Sequence, residues 1–396
     1  MRTYKRTHPW LRFAVDLRRA PPALWLLLGE VKSKCEHIAG VPLQPDTALR
    51  LHRVYLAKGA LATTAIEGNT LTEGEALQLV EGGLELPKSR EYLGREVRNI
   101  VAACNRIAAE IEQASGELSV AQILAFNRSV LDGLPLEPHV VPGEIRTYPV
   151  VVGSYSGVPH EDCPHLLDRL CRWLNEPEFR GAGSATLATA VLRAVLAHLY
   201  LAWIHPFGNG NGRTARLLEL YILLAAGVPS PAAHLLSNHY NQTRAEYYRQ
   251  LRAASESGGD LLPFVMYAVQ GLVDGLRQQL AEIRQQQWEI AWRNFVDEAF
   301  REEKTPAAVR QRNLALALSE TPEWVAVSEV PMLTPLLARA YASKSAKTVS
   351  RDLNALAARG LIDRTRARVR ARREIILAFL PLRRAVEIRE PALGGG

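Results

Sequence analysis

Apolar positions recur along most of this chain at the three-to-four-residue spacing of a helix. "PALWLLLGEVKSKCEHIAG" reads as one helix closed by Gly40, and "TALRLHRVYLAKGALATTAIEG" as a second with Gly68 at its end. "SREYLGREVRNIVAACNRIAAEIEQASG" is a third, stopped near Gly116, and "SVAQILAFNRSVLDGL" a fourth with Ser119 as its cap. The pattern then changes. "GEIRTYPVVVGSYSGVPHE" sets β-branched and aromatic residues between Gly and Pro and predicts a short hairpin. Helical spacing resumes in "CPHLLDRLCRWLNEP", "ATAVLRAVLAHLYLAWIH", "TARLLELYILLAAG" and "RAEYYRQLRAASES". A long helix from "LLPFVMYAVQGL" to "FVDEAFREE" leads out of a helical domain that ends near residue 280.

The last part, "SKSAKTVSRDLNALAARGLIDRTRARVRARREIILAF", predicts a helix starting at Ser345 and ending at Gly360. Leu353, Leu356 and Ala357 lie on one face, and two basic, β-prone segments follow. This is the pattern of a winged helix-turn-helix: a recognition helix, then an arginine-rich wing. Charge sharpens the picture. Residues 341–390 hold 13 Lys and Arg against 5 Asp and Glu, while the whole chain has a net charge of +7. A polyanion partner such as duplex DNA is therefore expected at this end, with Lys347, Arg351, Arg366 and Arg368 reaching phosphates.

No run reaches the ~18 to 20 apolar residues of a membrane helix, and the N-terminal stretch lacks the form of a signal peptide. Four cysteines without a CxxC pair suit free thiols in a reducing, cytoplasmic setting. "HEDCPH" (His160, Cys163, His165) matches no standard zinc spacing, and Pro164 favours a loop-to-helix junction. His234 and His239 are expected at the surface. "RQQLAEIRQQQWEIAW" suits either a dimerising helix, hence a homodimer, or a connector packed on the C-terminal module.

The candidate chemistry lies in "HPFGNGNGRTARLLEL", His205 to Leu220. A glycine-rich loop runs from the end of an apolar helix at Ile204 to a helix starting near Thr214. Such a turn aims backbone amides and the positive end of a helix dipole at an anion. Gly210 and Gly212 let backbone approach a ligand closely. Arg213 and Arg216 are three apart and can face one loop, which suits a triphosphate. His205, with a pKa near neutrality, suits proton abstraction from a hydroxyl. A P-loop is excluded by the lack of Gly-Lys-Ser/Thr, and a dinucleotide fingerprint by the lack of a preceding strand.

These residues resemble the signature of Fic (filamentation induced by cAMP) proteins, His-x-Phe-x-Asp/Glu-Gly-Asn-Gly-Arg-x-x-Arg. It is matched by His205, Phe207, Gly210, Asn211, Gly212, Arg213 and Arg216. "TTAIEGNTLT" resembles the family's inhibitory helix motif through Thr63, Glu67 and Gly68. "TYPVVVGSY" sits where the family has its target-binding flap, and "RAEYYRQL" resembles a nucleotide-binding segment.

The resemblance implies a mainly α fold: a Fic-type helical domain with a β-hairpin flap, plus a C-terminal winged helix-turn-helix domain. It divides the chain into an N-terminal helical region with the inhibitory helix (1–115), a catalytic domain (116–280), a connecting helix (281–305), the winged helix-turn-helix (306–390) and a tail (391–396). The implied activity is transfer of AMP from ATP to a Ser, Thr or Tyr hydroxyl of a protein, with Glu67 autoinhibiting. His205 is then the base and Phe207 the anchor of the loop. Asn209, Gly210, Asn211, Gly212, Arg213, Thr214, Ala215 and Arg216 bind ATP. Val152, Gly153, Ser154 and Tyr155 form the flap, and Tyr247 and Ser255 contact the nucleoside. Mg²⁺ is implied as cofactor. Asn209 stands where the family has an acidic metal ligand, so the metal is held weakly. Two alternatives stay open: a nucleotide-sensing, DNA-binding transcription regulator, and removal of AMP from a modified protein.

Overall fold

The computed structural model describes residues 2–43, 45–111, 117–153, 155–179, 186–321 and 323–376. The chain divides into two compact units, Met1–Ala281 and Glu282–Gly396.

In the first unit, α1 (Pro22–Ala39) and α2 (Pro45–Ala65) are followed by α3 (Glu73–Glu81). The periodicity reading passes over α3, whose start is a full capping box. The Thr72 hydroxyl accepts from the Glu75 amide, and the Glu75 carboxylate accepts from the Thr72 amide. Then come α4 (Glu91–Glu110) and α5 (Val120–Leu131), the latter capped by Ser119 as expected. Gly116, the expected stop of α4, lies outside the described residues.

The hairpin forms from β1 (Val151–Val152) and β2 (Tyr155–Ser156), antiparallel, with Val152 opposite Tyr155. Ser154, at its tip, lies outside the described residues. α6 (Cys163–Leu174) carries Pro164 in its first turn. α7 (Thr186–Ile204) and α8 (Asn211–Ala225) pack along each other at the centre and carry the site between them. α9 (Leu235–Gln242) and α10 (Arg244–Glu256) complete the surround.

One core runs through this unit, and α1 to α4 share it with α5 to α10. The expected break between residues 115 and 116 is therefore not a break in packing. α7 also corrects the apolar-run reading. It is long and apolar enough to cross a membrane, with a mean hydropathy of 1.7, but it lies mostly buried as the central helix of this core. His234 corrects the surface reading as well. It is buried against Gly59, which has no β-carbon to exclude the ring, and burial lowers its pKa to about 4. His239 packs in the same way over Gly271.

α11 (Leu262–Ala299) runs across the division between the units. Its last part is not a bare connector, because Trp292 and Val296, with Phe300 just beyond, join the core of the second unit. There α12 (Pro306–Ser319), β3 (Val325–Ala326), α13 (Pro335–Tyr341), α14 (Ala346–Ala358), β4 (Ile362–Arg364) and β5 (Arg368–Ala371) follow in order. The strands form one antiparallel sheet in the order β3-β5-β4. Buried Asp352 of α14 accepts from Arg310 (2.6 Å) and Gln311 (2.9 Å) of α12 and from Tyr341 (3.0 Å) of α13, so one carboxylate ties three helices together. Residues 377–396, the rest of the expected module and the tail, lie outside the described residues.

Candidate active site

The loop between α7 and α8 is built by its own side chains. Asn211 accepts from the Phe207 amide (2.9 Å) and donates to the Phe207 carbonyl (2.8 Å), closing the turn on itself. Phe207 is buried and roots the loop in the core. Gly210 stands at φ 76°, and a β-carbon there would crowd Leu131 and Asn127. Asn127 of α5 braces the same turn by donating to the Asn209 carbonyl (3.0 Å) and to the Thr214 hydroxyl (3.2 Å). α8 thus begins at Asn211, three residues earlier than the pattern suggests.

This architecture reassigns several expected ligands. The Asn211 amide group is spent on the loop. Thr214 donates to the Gly210 carbonyl and is fully buried, as is Ala215, so neither side chain faces the cleft. The Tyr247 hydroxyl lies in the core within 2.9 Å of Nε2 of His198, and Ser255 donates to the Arg252 carbonyl. Tyr155 turns inward too, donating to the Trp203 carbonyl (2.7 Å) and fastening the hairpin to α7. Val151 and Val152 are exposed, and Gly153 turns the tip at φ 58°.

His205 has a left-handed backbone, φ 51°, unusual for a residue with a β-carbon. Its Nδ1 lies 3.3 Å from the Ala202 carbonyl. That contact favours the tautomer with hydrogen on Nδ1 and leaves Nε2 with a free lone pair. Burial lowers its pKa to about 4; the Ala202 carbonyl and Glu67 oppose the shift, and Arg146 adds to it. The imidazole is therefore neutral at neutral pH, which is the form a base requires.

The two arginines are both buried and both held by carboxylates. Nη2 of Arg216 donates to Glu67 Oε1 (2.5 Å) and to the Thr63 carbonyl (2.9 Å). Thr63 thus contributes its backbone. Gly68 follows at φ 104° and turns the chain away. Burial alone would raise the Glu67 pKa, but Arg216, then Arg213, hold it below the usual carboxylate range. Glu67 Oε1 also sits where a β-carbon on Gly212 would stand, over the first turn of α8. Nε and Nη1 of Arg216 are buried with no hydrogen-bond partner among the described residues. Buried guanidinium hydrogens in that state need an acceptor.

Arg213 carries a second pair that the sequence did not suggest. Nη1 donates to Glu96 Oε1 of α4 (2.7 Å), and Nη2 donates to Asn209 Oδ1 (2.9 Å). Glu96 Oε2 accepts from Asn69 (2.9 Å), two residues after Glu67. The side-chain oxygen expected on Mg²⁺ is thus turned to a guanidinium, and the nearby carboxylate is already paired. Among the described residues no three His, Cys, Asp or Glu side chains gather as a metal site. These donors do not fit a protein-held Mg²⁺, because its hard-cation chemistry calls for free carboxylate oxygens.

Comparison with known proteins agrees with this geometry. The Fic/DOC family profile matches residues 117–223. The chain is 35% identical over 233 residues to "Protein adenylyltransferase fic-1" of Caenorhabditis elegans, covering 57% of this chain and 41% of that protein. It is 34% identical over 211 residues to "Protein adenylyltransferase Fic" of Drosophila melanogaster, covering 52% and 38%. It therefore spans about two fifths of the length of these relatives. A crystal structure of a Fic family protein from Desulfovibrio desulfuricans G20 shares the fold with a TM-score of 0.55 at 21% identity, over 89% of this chain and 96% of that one. Fic-1 from C. elegans aligns with a TM-score of 0.53 at 28% identity, over 67% and 74%. With the signature loop and the Thr63–Gly68 segment brought together at one cleft, residues 117–223 of this chain carry a Fic/DOC family domain.

Proposed function

We propose that the chain is a protein adenylyltransferase held in an inhibited state. The observation that carries this reading is the pairing of a neutral His205, with Nε2 free, and a buried Arg216 whose Nε and Nη1 have no acceptor among the described residues. A base for a hydroxyl stands beside donors for a phosphate. The names of the relatives support the same activity.

In this reading the Arg213 and Arg216 guanidiniums and the α8 N-terminus hold the β- and γ-phosphates of ATP. Val151 and Val152 offer an exposed strand edge on which an extended segment of the target protein docks. Nε2 of His205 takes the proton of the target Ser, Thr or Tyr hydroxyl, and that oxygen bonds to the α-phosphorus. The bond from the α-phosphorus to the bridging oxygen breaks, and pyrophosphate leaves. No step is assigned to Mg²⁺. Glu67 inhibits by occupying Arg216 and by placing negative charge at the head of α8.

The second unit supports a companion reading as a DNA-binding winged helix-turn-helix. Lys347 and Arg351 of α14 and Arg366 and Arg368 around the β4–β5 turn are exposed and unpaired among the described residues. Incubating the protein with ATP labelled at the α-phosphate tests the transferase. Self-labelling that disappears in His205→Ala is expected, whereas labelling that survives the substitution would remove His205 from the reaction.

A further inference from the structure

The hairpin and the histidine are joined by one buried side chain. Arg146, 4% exposed, precedes β1, and its guanidinium is spent on three carbonyls. Nε donates to the His205 carbonyl (2.8 Å), Nη1 to that of Tyr148 (2.6 Å) and Nη2 to that of Val158 (2.5 Å). Its own amide donates to the Pro206 carbonyl (2.9 Å). Tyr148 and Val158 flank the hairpin on its two sides, and His205 and Pro206 begin the catalytic loop. Room for the guanidinium comes from Gly157, where a β-carbon would stand 3.0 Å from Nη2 and 3.4 Å from the His205 β-carbon. The Gly157 amide closes the hairpin on the Val150 carbonyl (3.0 Å).

His205 needs such a restraint. Its left-handed backbone persists only where surrounding structure imposes it. The Ala202 carbonyl orients the ring, but only Arg146 grips the His205 carbonyl among the described hydrogen bonds.

We propose that Arg146 is a positioning residue for AMP transfer: it locks both sides of the target-docking hairpin to the strained catalytic histidine as one rigid piece. This rests on the transferase reading. A target hydroxyl seated on the hairpin then meets Nε2 of His205 at one fixed distance, and geometric precision of that kind governs turnover more than nucleotide binding. The charged groups acting on the imidazole are Arg146, which disfavours its protonation, and Glu67, which favours it.

The test uses the full chain carrying Glu67→Gly, with Arg146→Gln and Arg146→Lys added separately. Arg146→Gln should lower kcat by at least about tenfold while KM for ATP stays within about twofold. In the same variant the His205 ring, followed by NMR, should titrate at higher pH, and the Gly157 amide should exchange faster. Arg146→Lys restores the charge and one of the three bonds, so the titration should return and kcat should recover in part. Should Arg146→Gln fail to fold, Arg146→Lys is compared directly with its parent, and a lowered kcat with an unmoved titration is expected. Unchanged kcat, with His205 titration and Gly157 exchange also unchanged, overturns the proposal. If the Glu67→Gly parent transfers nothing, the transferase reading fails. The titration and the exchange then decide by themselves whether Arg146 positions His205.

Discussion

Glu67 Oε1 lies 2.5 Å from Nη2 of Arg216, and it occupies the space a β-carbon on Gly212 would take. One carboxylate therefore holds the guanidinium and covers the head of α8 at once. Glu67→Gly removes both effects. Self-modification measured with labelled ATP should rise by at least about tenfold, a barrier change of about 1.4 kcal/mol or more. Arg216→Ala in the same background should cancel the gain, because in the proposed reading the freed guanidinium receives the phosphate. Equal labelling by the wild type and Glu67→Gly, both shown to bind ATP, would sink the inhibitory role.

Glu96 extends the same logic to Arg213. The segment after Glu67 reaches Arg213 indirectly, from Asn69 to Glu96 to the guanidinium. Two carboxylates thus balance two buried arginines, which leaves the cleft less attractive to a polyanion. Glu96→Gln keeps the shape and drops the charge. ATP should bind several-fold more tightly by calorimetry, at a cost of about 1–3 kcal/mol in stability for the weakened buried pair. Weaker ATP binding in this variant would mean that Glu96 orients Arg213 for the nucleotide instead of restraining it.

The glycine-rich loop was legible because its glycines, its histidine and the spacing of its arginines are each demanded by local geometry. Asn211 shows the limit of that reading. An asparagine in a phosphate loop and one that ties the loop shut look identical in sequence, and only the hydrogen bonds to Phe207 separate them. Glu96 and Arg146 left no local signal. Each is an ordinary charge in its local sequence, and its meaning comes from a partner 117 or 59 positions away. The α3 helix was different: its signal was present in Thr72 and Glu75 but sat in a stretch too short for periodicity to show. His234 failed through a tertiary effect, since Gly59 leaves room for a ring that polarity alone sends to the surface.

Two histidines withdrawn from solvent, one half-buried and one buried, set the acid response. Burial lowers the pKa of both His205 and His234 from 6.5 to about 4. Between those values the unfolded chain binds protons at these sites and the folded chain does not, so stability rises with pH across that window. Thermal melting should show Tm constant above about pH 6.5 and falling towards pH 4, with each histidine contributing on the order of 3 kcal/mol at the bottom. His205→Ala should flatten part of that slope. A flat Tm from pH 7 to 4.5 would show that both rings are hydrated enough to protonate in place.

The C-terminal unit presents a basic face of its own. Its core is self-contained, and Asp352 fixes α14 against α12 and α13, so α14 is a rigid presenter of what it exposes. Lys347 and Arg351 are one turn apart on α14, and Arg366 and Arg368 project around the β4–β5 turn. Other arginines nearby are already spoken for: Arg359 pairs with Glu303, and Arg370 with Asp363 and Glu374. Lys347, Arg351, Arg366 and Arg368 are thus exposed cations with no ion-pair partner among the described residues, free to meet phosphates. Duplex DNA should bind at low salt, and affinity should fall steeply as salt rises because counterions are released. Lys347→Ala with Arg351→Ala should weaken binding and reduce the slope of log affinity against log salt by about 0.9 for each phosphate no longer neutralised. Nucleotide binding in the first unit should be unaffected. The ordinary alternative is a solvated basic face that touches no polyanion. Fluorescence anisotropy with a labelled duplex separates the two: no binding at low salt, or binding whose salt slope ignores both substitutions, would assign this face to contacts with protein.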